Sequence, residues 1–152
     1  MKTAYLSPLA CLWLLSALPA AAQQPAMSPV RTTTTAVSRM VLFKLAPGQG
    51  AAYNQDVMDH LMPIYEEEKK AGILTEYRFF SKTTTESPED WNVGVMLTYA
   101  NFAALDNLTT RTDPITLKHY GSTEKRTAAG MARGQLRTVV SSFLTQTLSY
   151  SR

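Results

Sequence analysis

Between Gly50 and Gly72 the chain carries the spacing of an amphipathic helix. Tyr53, Val57, His60, Leu61 and Ile64 fall on one side of a 3.6-residue wheel, and Asp59, Glu66 and Lys70 on the other. Lys69 and Lys70 sit in the last turn and Gly72 follows, which is a C-terminal signal. Pro63 lies inside this helix. It cannot donate to the carbonyl of Asp59, and a proline inside a regular helix costs about 3 kcal/mol. A kink is expected there, either as two shorter pieces following the sheet or as an opening beside His60.

Strand patterns flank this helix. In Val37–Leu45, Val41, Phe43 and Leu45 alternate with Met40, Leu42 and Lys44, so both faces are largely apolar until Ala46-Pro47-Gly48 ends the run. Ile73–Lys82 places Tyr77 and Phe79 on one face and Arg78 and Phe80 on the other. A polar loop over 83–90 leads to Trp91–Tyr99, whose odd-numbered face is Trp91, Val93, Val95, Leu97 and Tyr99. Gly94 on its other face marks a bulge or a close approach. Asn101 is placed to cap a second helical region bearing Phe102, Leu105 and Leu108. Asp113-Pro114 reads as a further cap and restart, closed by Lys118-His119-Tyr120-Gly121. Ser122 opens a short helix to Ala132 with Gly134 as its stop, and residues 136–148 form a fourth strand.

Strand, helix, strand, strand, helix, strand is the split βαβ order of an α+β, ferredoxin-like βαββαβ fold, a four-stranded antiparallel sheet with both helical regions on one face. The other face would be left bare with a row of large apolar side chains, which predicts a homodimer through the open sheet face.

Residues 1–22 stand apart from this pattern. Lys2, an apolar run broken by Ser7, Pro8 and Ser16, and Ala20-Ala21-Ala22 read as a secretory signal peptide cut after Ala22. Residues 23–36, rich in Gln, Pro, Ser and Thr, read as a flexible polar linker, and residues 37–150 as one α+β-barrel domain. The expected address is secreted or periplasmic. Cleavage would remove Cys11, the single cysteine, leaving no thiol for a disulfide or a metal. Fifteen basic residues against twelve acidic ones, with Lys2 in the leader, give too mild a charge and no basic run to imply nucleic acid. Beyond the leader no run approaches the roughly 20 apolar residues of a membrane span.

The runs MVLFKLAPGQ (40–49), KKAGILTEYRF (69–79) and WNVGVMLTYANFAALDNL (91–108) resemble the dimeric α+β-barrel superfamily, within it the stress-responsive barrel and NIPSNAP-like groups. The resemblance spans Val37 to Leu148 and implies the dimeric barrel fold. The superfamily holds monooxygenases without metal cofactors, haem-degrading enzymes, a polyketide cyclase and isomerases, so fold does not choose an activity. Catalytic positions do not carry over. Where the cyclase has a histidine at the start of strand one, this chain has Ser38 or Arg39. Where its second histidine follows a His-Pro pair, this chain has Asp113-Pro114 with Thr116 at the aligned place and His119 displaced from it. Strand one lacks the asparagine of the haem-degrading members.

His60 is the sharpest candidate for chemistry. It lies on the apolar stripe, and Asp56 four residues earlier is placed to orient the ring and raise its basicity. The competing reading is a structural histidine at the stripe's edge. Tyr53, Ile64, Tyr77, Trp91 and Tyr99 would line a ligand site between helices and sheet, against the alternative of core and dimer packing. His119-Tyr120 and Arg78 read as mouth or surface residues. With two histidines far apart in sequence and no HxH or HExxH spacing, no metal and no cofactor is expected. Asn107-Leu108-Thr109 matches a short glycosylation acceptor. Two functions follow: binding of a small apolar or aromatic molecule, or a cofactor-independent monooxygenase or cyclase-type reaction with His60 as general base.

Overall fold

The computed structural model describes residues 31–84 and 86–151. The leader and the first part of the linker lie outside them. Four strands, β1 (Arg31–Leu45), β2 (Glu76–Ser81), β3 (Val93–Tyr99) and β4 (Arg137–Ser151), form one antiparallel sheet in the order β2-β3-β1-β4. Helices α1 (Gly50–Asp56) and α2 (Met62–Lys70) follow β1. Helices α3 (Leu108–Tyr120) and α4 (Thr123–Leu136) follow β3 after a 3-10 turn at Phe102–Leu105. This is the expected βαββαβ arrangement.

Sheet pairing fixes which side chains share a face. Tyr77, Leu97, Arg39 and Leu144 form one cross-strand row; Phe79, Val95, Val41 and Ser142 form the next. The helices pack on this side, where Tyr53, Val57 and Leu61 meet Leu45, Tyr65, Phe79 and Val93. The opposite side carries Met40, Leu42, Met96, Phe80 and Phe143, with no cover among the described residues. β4 is one of the sheet's two edges and is exposed over most of its length, including Phe143 at 44 % and Tyr150 at 68 %.

The helix over 50–72 is interrupted by a π-helical turn at Val57–Leu61, immediately before Pro63. There the Met62 amide donates to the carbonyl of Val57, five residues back. Since Pro63 has no N–H to give the carbonyl of Asp59, the expected irregularity is absorbed as one widened turn. Gly72, at φ 68°, supplies the left-handed turn that ends α2.

Four boundaries differ from expectation. β1 begins at Arg31, so residues 31–36 are strand where a linker was expected; Thr33 and Thr34 pair with Ser149 and Leu148 at the far end of the chain, and β-branched threonines suit that pairing. Pro114 lies inside α3 and does not restart it. Arg126 reaches over from α4 to Asp113 (2.9 Å) and Thr116 (3.3 Å), tying this stretch of α3 to its neighbour. Gly134 does not stop α4, which runs to Leu136. β2 and β3 are shorter than their apolar runs, because Ile73 and Leu74 are buried in the turn after α2 and Trp91 precedes the strand. Two of the three predicted caps hold, Asn101 accepting from the Ala104 amide (3.0 Å) and Ser122 from that of Lys125 (3.2 Å), whereas Asp113 lies inside α3 and caps nothing.

Candidate functional site

The π turn presents His60 toward α3, and α3 ends on His119 and Tyr120. Nδ1 of His60 and Nε2 of His119 are 3.0 Å apart. The ring centroids are 5.3 Å apart and the rings lie at 85°. The centroid separation exceeds the N–N distance by about two ring radii, so the two nitrogens meet nearly head-on, the geometry of a linear hydrogen bond. One ring donates and the other accepts. Tyr120 packs at 5.3 Å from His60 and 4.9 Å from His119, centroid to centroid.

Behind the pair stands a charged network. Arg133 of α4 grips Asp56 with both arms, Nε to Oδ2 at 2.6 Å and Nη2 to Oδ1 at 3.0 Å. The same Nη2 donates to the Tyr120 hydroxyl at 2.9 Å. Both ion-pair partners are largely buried. Burial works to lower the Arg133 pKa, yet its bonds to Asp56 and Tyr120 outweigh burial and hold it above its usual value. Burial, then the charges of His60 and Arg133, push His119 below the ordinary histidine value.

Asp56 therefore faces Arg133, not His60. Four residues apart, the two would stack on a regular α-helix. The widened turn starting at Val57 changes their angular offset, and a bidentate guanidinium is the stronger partner for a carboxylate.

The five residues expected to line one cavity are spread out. Tyr53 is core; its hydroxyl accepts a 3.3 Å bond from Arg137, whose guanidinium stacks 3.7 Å above the Phe43 ring. Tyr77 donates to Glu66 at 2.7 Å, and burial, then that bond, raise its pKa to about 12. Trp91 packs edge-on to Phe80 before β3, and Tyr99 is buried at the strand's other end, roughly 25 Å away at the rise of an extended chain. Burial raises Tyr99 as well. Ile64 alone among the five borders the larger open space next to the histidines.

That space is a groove of about 610 Å³ between α2 and α3. Pro63 and Ile64 face Pro114 and Ile115 across it, with Glu66, Glu67 and Lys70 on its α2 side and Lys118 and His119 on its α3 side. By contrast, the interface between helices and sheet, where a ligand was expected, is filled; the space beside Tyr53, Phe79 and Gly94 measures about 120 Å³. Sequence reasoning treated His119 and Tyr120 as mouth or surface residues and passed over Arg133. Their one local signal is the closing of α3 on a histidine and a tyrosine.

No protein-family profile and no curated protein matches the sequence. Among solved structures, HapK from Hahella chejuensis superposes with a TM-score of 0.50 at 11% identity, covering 76% of this chain and 96% of that one. The chain has a ferredoxin-like α+β fold. Similar in outline are a dimeric ferredoxin-like protein of unknown function from Jannaschia sp. CCS1 (TM-score 0.42, 19% identity, 74% and 97% covered) and an ethyl tert-butyl ether d (EthD) family protein from Bacillus halodurans C-125 (0.43, 12%, 74% and 98%). At such identities the likeness is one of fold, and the ferredoxin-like frame leaves activity to the site. Among the described residues no helix is long and apolar enough to cross a membrane.

Proposed function

We propose that this is an exported, homodimeric barrel protein of the stress-responsive or NIPSNAP-like type that binds a small, largely apolar molecule in the α2–α3 groove. The groove carries the reading. Its volume falls in the range of small-molecule sites, Pro63, Ile64, Pro114 and Ile115 give it apolar wall beside Glu66, Glu67, Lys70 and Lys118, and it reaches His119, whose imidazole is hydrogen-bonded to His60. The leader pattern supports export. The bare sheet face and the long exposed edge strand β4 support a second copy, since such surfaces invite pairing unless covered.

A cofactor-independent oxygenase or cyclase-type enzyme with His60 as general base is the second reading, favoured by the same histidine pair. Here Nδ1 of His60 is committed to His119 and Asp56 to Arg133, so His60 lacks the carboxylate that would raise its basicity. Binding without turnover needs none of this.

Native mass spectrometry of protein purified from its own cell envelope tests the proposal. A dimer mass with a retained small molecule is expected, and Ile115→Trp should empty the groove while leaving the dimer. Phe143→Glu should yield monomer. A wild-type monomer would overturn the interface, and a ligand that survives Ile115→Trp would overturn the groove.

A further inference from the structure

Resting on the groove as a binding site, we propose that its ligand is an amphiphilic carboxylate, with the head group held by Lys118 and His119 and with His60 setting which nitrogen of His119 carries the proton. The apolar walls take the tail. Of the charges lining the groove on the α2 side, Lys70 and Glu67 are paired at 2.6 Å, and Glu66 accepts the Tyr77 hydroxyl at 2.7 Å, which holds its carboxyl toward β2. Lys118 makes no ion pair among the described residues and stands next to His119. From α4, Arg133 adds positive potential, Asp56 is bound to it, and the Tyr120 hydroxyl is occupied by the same guanidinium.

The histidine pair supplies the second contact. A neutral imidazole has one N–H. If His60 donates from Nδ1 to Nε2 of His119, the His119 proton must sit on Nδ1, which makes that atom a donor. If the bond runs the other way, Nδ1 of His119 becomes an acceptor and His60 carries its proton on Nε2. The two rings change together. A carboxylate, which only accepts, selects the first arrangement and gains a charge-assisted bond from Lys118; an alcohol head group fits either and gains no charge.

Calorimetry with dodecanoate and with 1-dodecanol, using the full chain at neutral pH, tests this. Dodecanoate should bind about tenfold tighter, the size of one charge-assisted contact. Lys118→Met should erase the preference without weakening 1-dodecanol. Nitrogen-15 spectra should show dodecanoate moving His119 to its Nδ1-protonated form and His60 to the complementary one, a response that a merely structural pair would not give. Equal affinities, both lost in Ile115→Trp, would sink the carboxylate assignment and leave the groove reading standing. Affinities untouched by Ile115→Trp would sink both. A preference that survives Lys118→Met, or histidine spectra indifferent to dodecanoate, would also overturn the proposal.

Discussion

Glu68 offers the clearest quantitative test of the packing. It sits in the last turn of α2, 6 % exposed, and its main-chain carbonyl accepts from the amides of Ile73 (2.9 Å) and Leu74 (3.3 Å). Its carboxyl has no hydrogen-bond partner among the described residues. Burial alone raises its pKa from the ordinary 4.5 to about 7. For a raised pKa the sign is fixed: the favourable contribution is complete below the unfolded value and is lost as pH climbs through the folded one. At 1.36 kcal/mol per pH unit, that displacement means that ionising Glu68 costs the fold roughly 3 kcal/mol above pH 8. Glu68→Gln keeps the shape and removes the charge. In urea titrations followed by tryptophan fluorescence, the variant should match the wild type within about 1 kcal/mol at pH 5 and exceed it by roughly 2–3 kcal/mol at pH 8.5. Repeating each titration at two protein concentrations separates this effect from dissociation of a dimer. A difference between variant and wild type that does not change from pH 5 to pH 8.5 would refute the reasoning.

Three further outcomes are expected. Gly94→Ala should destabilise by about 1–3 kcal/mol in the same assay, because the new methyl would stand 2.5 Å from Cζ of Phe80 and 3.0 Å from Cδ2 of Leu42; an unchanged midpoint would mean that Phe80 does not lie across β3. Asp56→Ala should cost about 3–5 kcal/mol by stranding the buried Arg133 guanidinium, and Asp56→Ala/Arg133→Met should recover part of it; a double variant no better than the single would argue against the stranded charge. Because His119 is depressed below the usual histidine value, its neutral form should stabilise the fold above about pH 6.5, with that support lost as pH falls; His119→Gln should flatten the acid side of the stability profile, and an unaltered profile would disprove the link.

Much of the fold was legible because the core writes itself as period. The stripe Tyr53, Val57, Leu61, Ile64 is the buried face of the first helical region, and the odd-numbered run of β3 lies under it. Where the reading failed, the deciding partner was distant. Residues 31–36 look like linker by composition and become strand because β4 continues to Ser151 alongside them. Pro114 looks like a helix start, since proline suits a first turn; contacts from Arg126 hold a continuous α3 in place of two pieces. Gly134 looks like a stop, but α4 is followed directly by β4, and Arg133 on the last turn of α4 and Arg137 at the start of β4 are fastened to Asp56 and Tyr53.

The site was half legible for a reason that joins these errors. His60 could be picked from its place on the stripe, but its partner could not. If α3 broke at Pro114, nothing would relate His119 to α2. If residues 57–61 were ordinary α-helix, Asp56 would stand beside His60 and the sequence pairing would hold. The missing N–H of Pro63 brings in the widened turn, which releases Asp56 to Arg133 and leaves His60 to meet His119. A regular helix would carry about 3 kcal/mol of penalty at Pro63, and the π turn replaces that penalty with its own looser hydrogen bonding. The Asp56–Arg133–Tyr120 network and the histidine bond offset that loosening with contacts available only in this register. The proline that looked like a defect in the helix is thus the residue that decides which side chains face the groove.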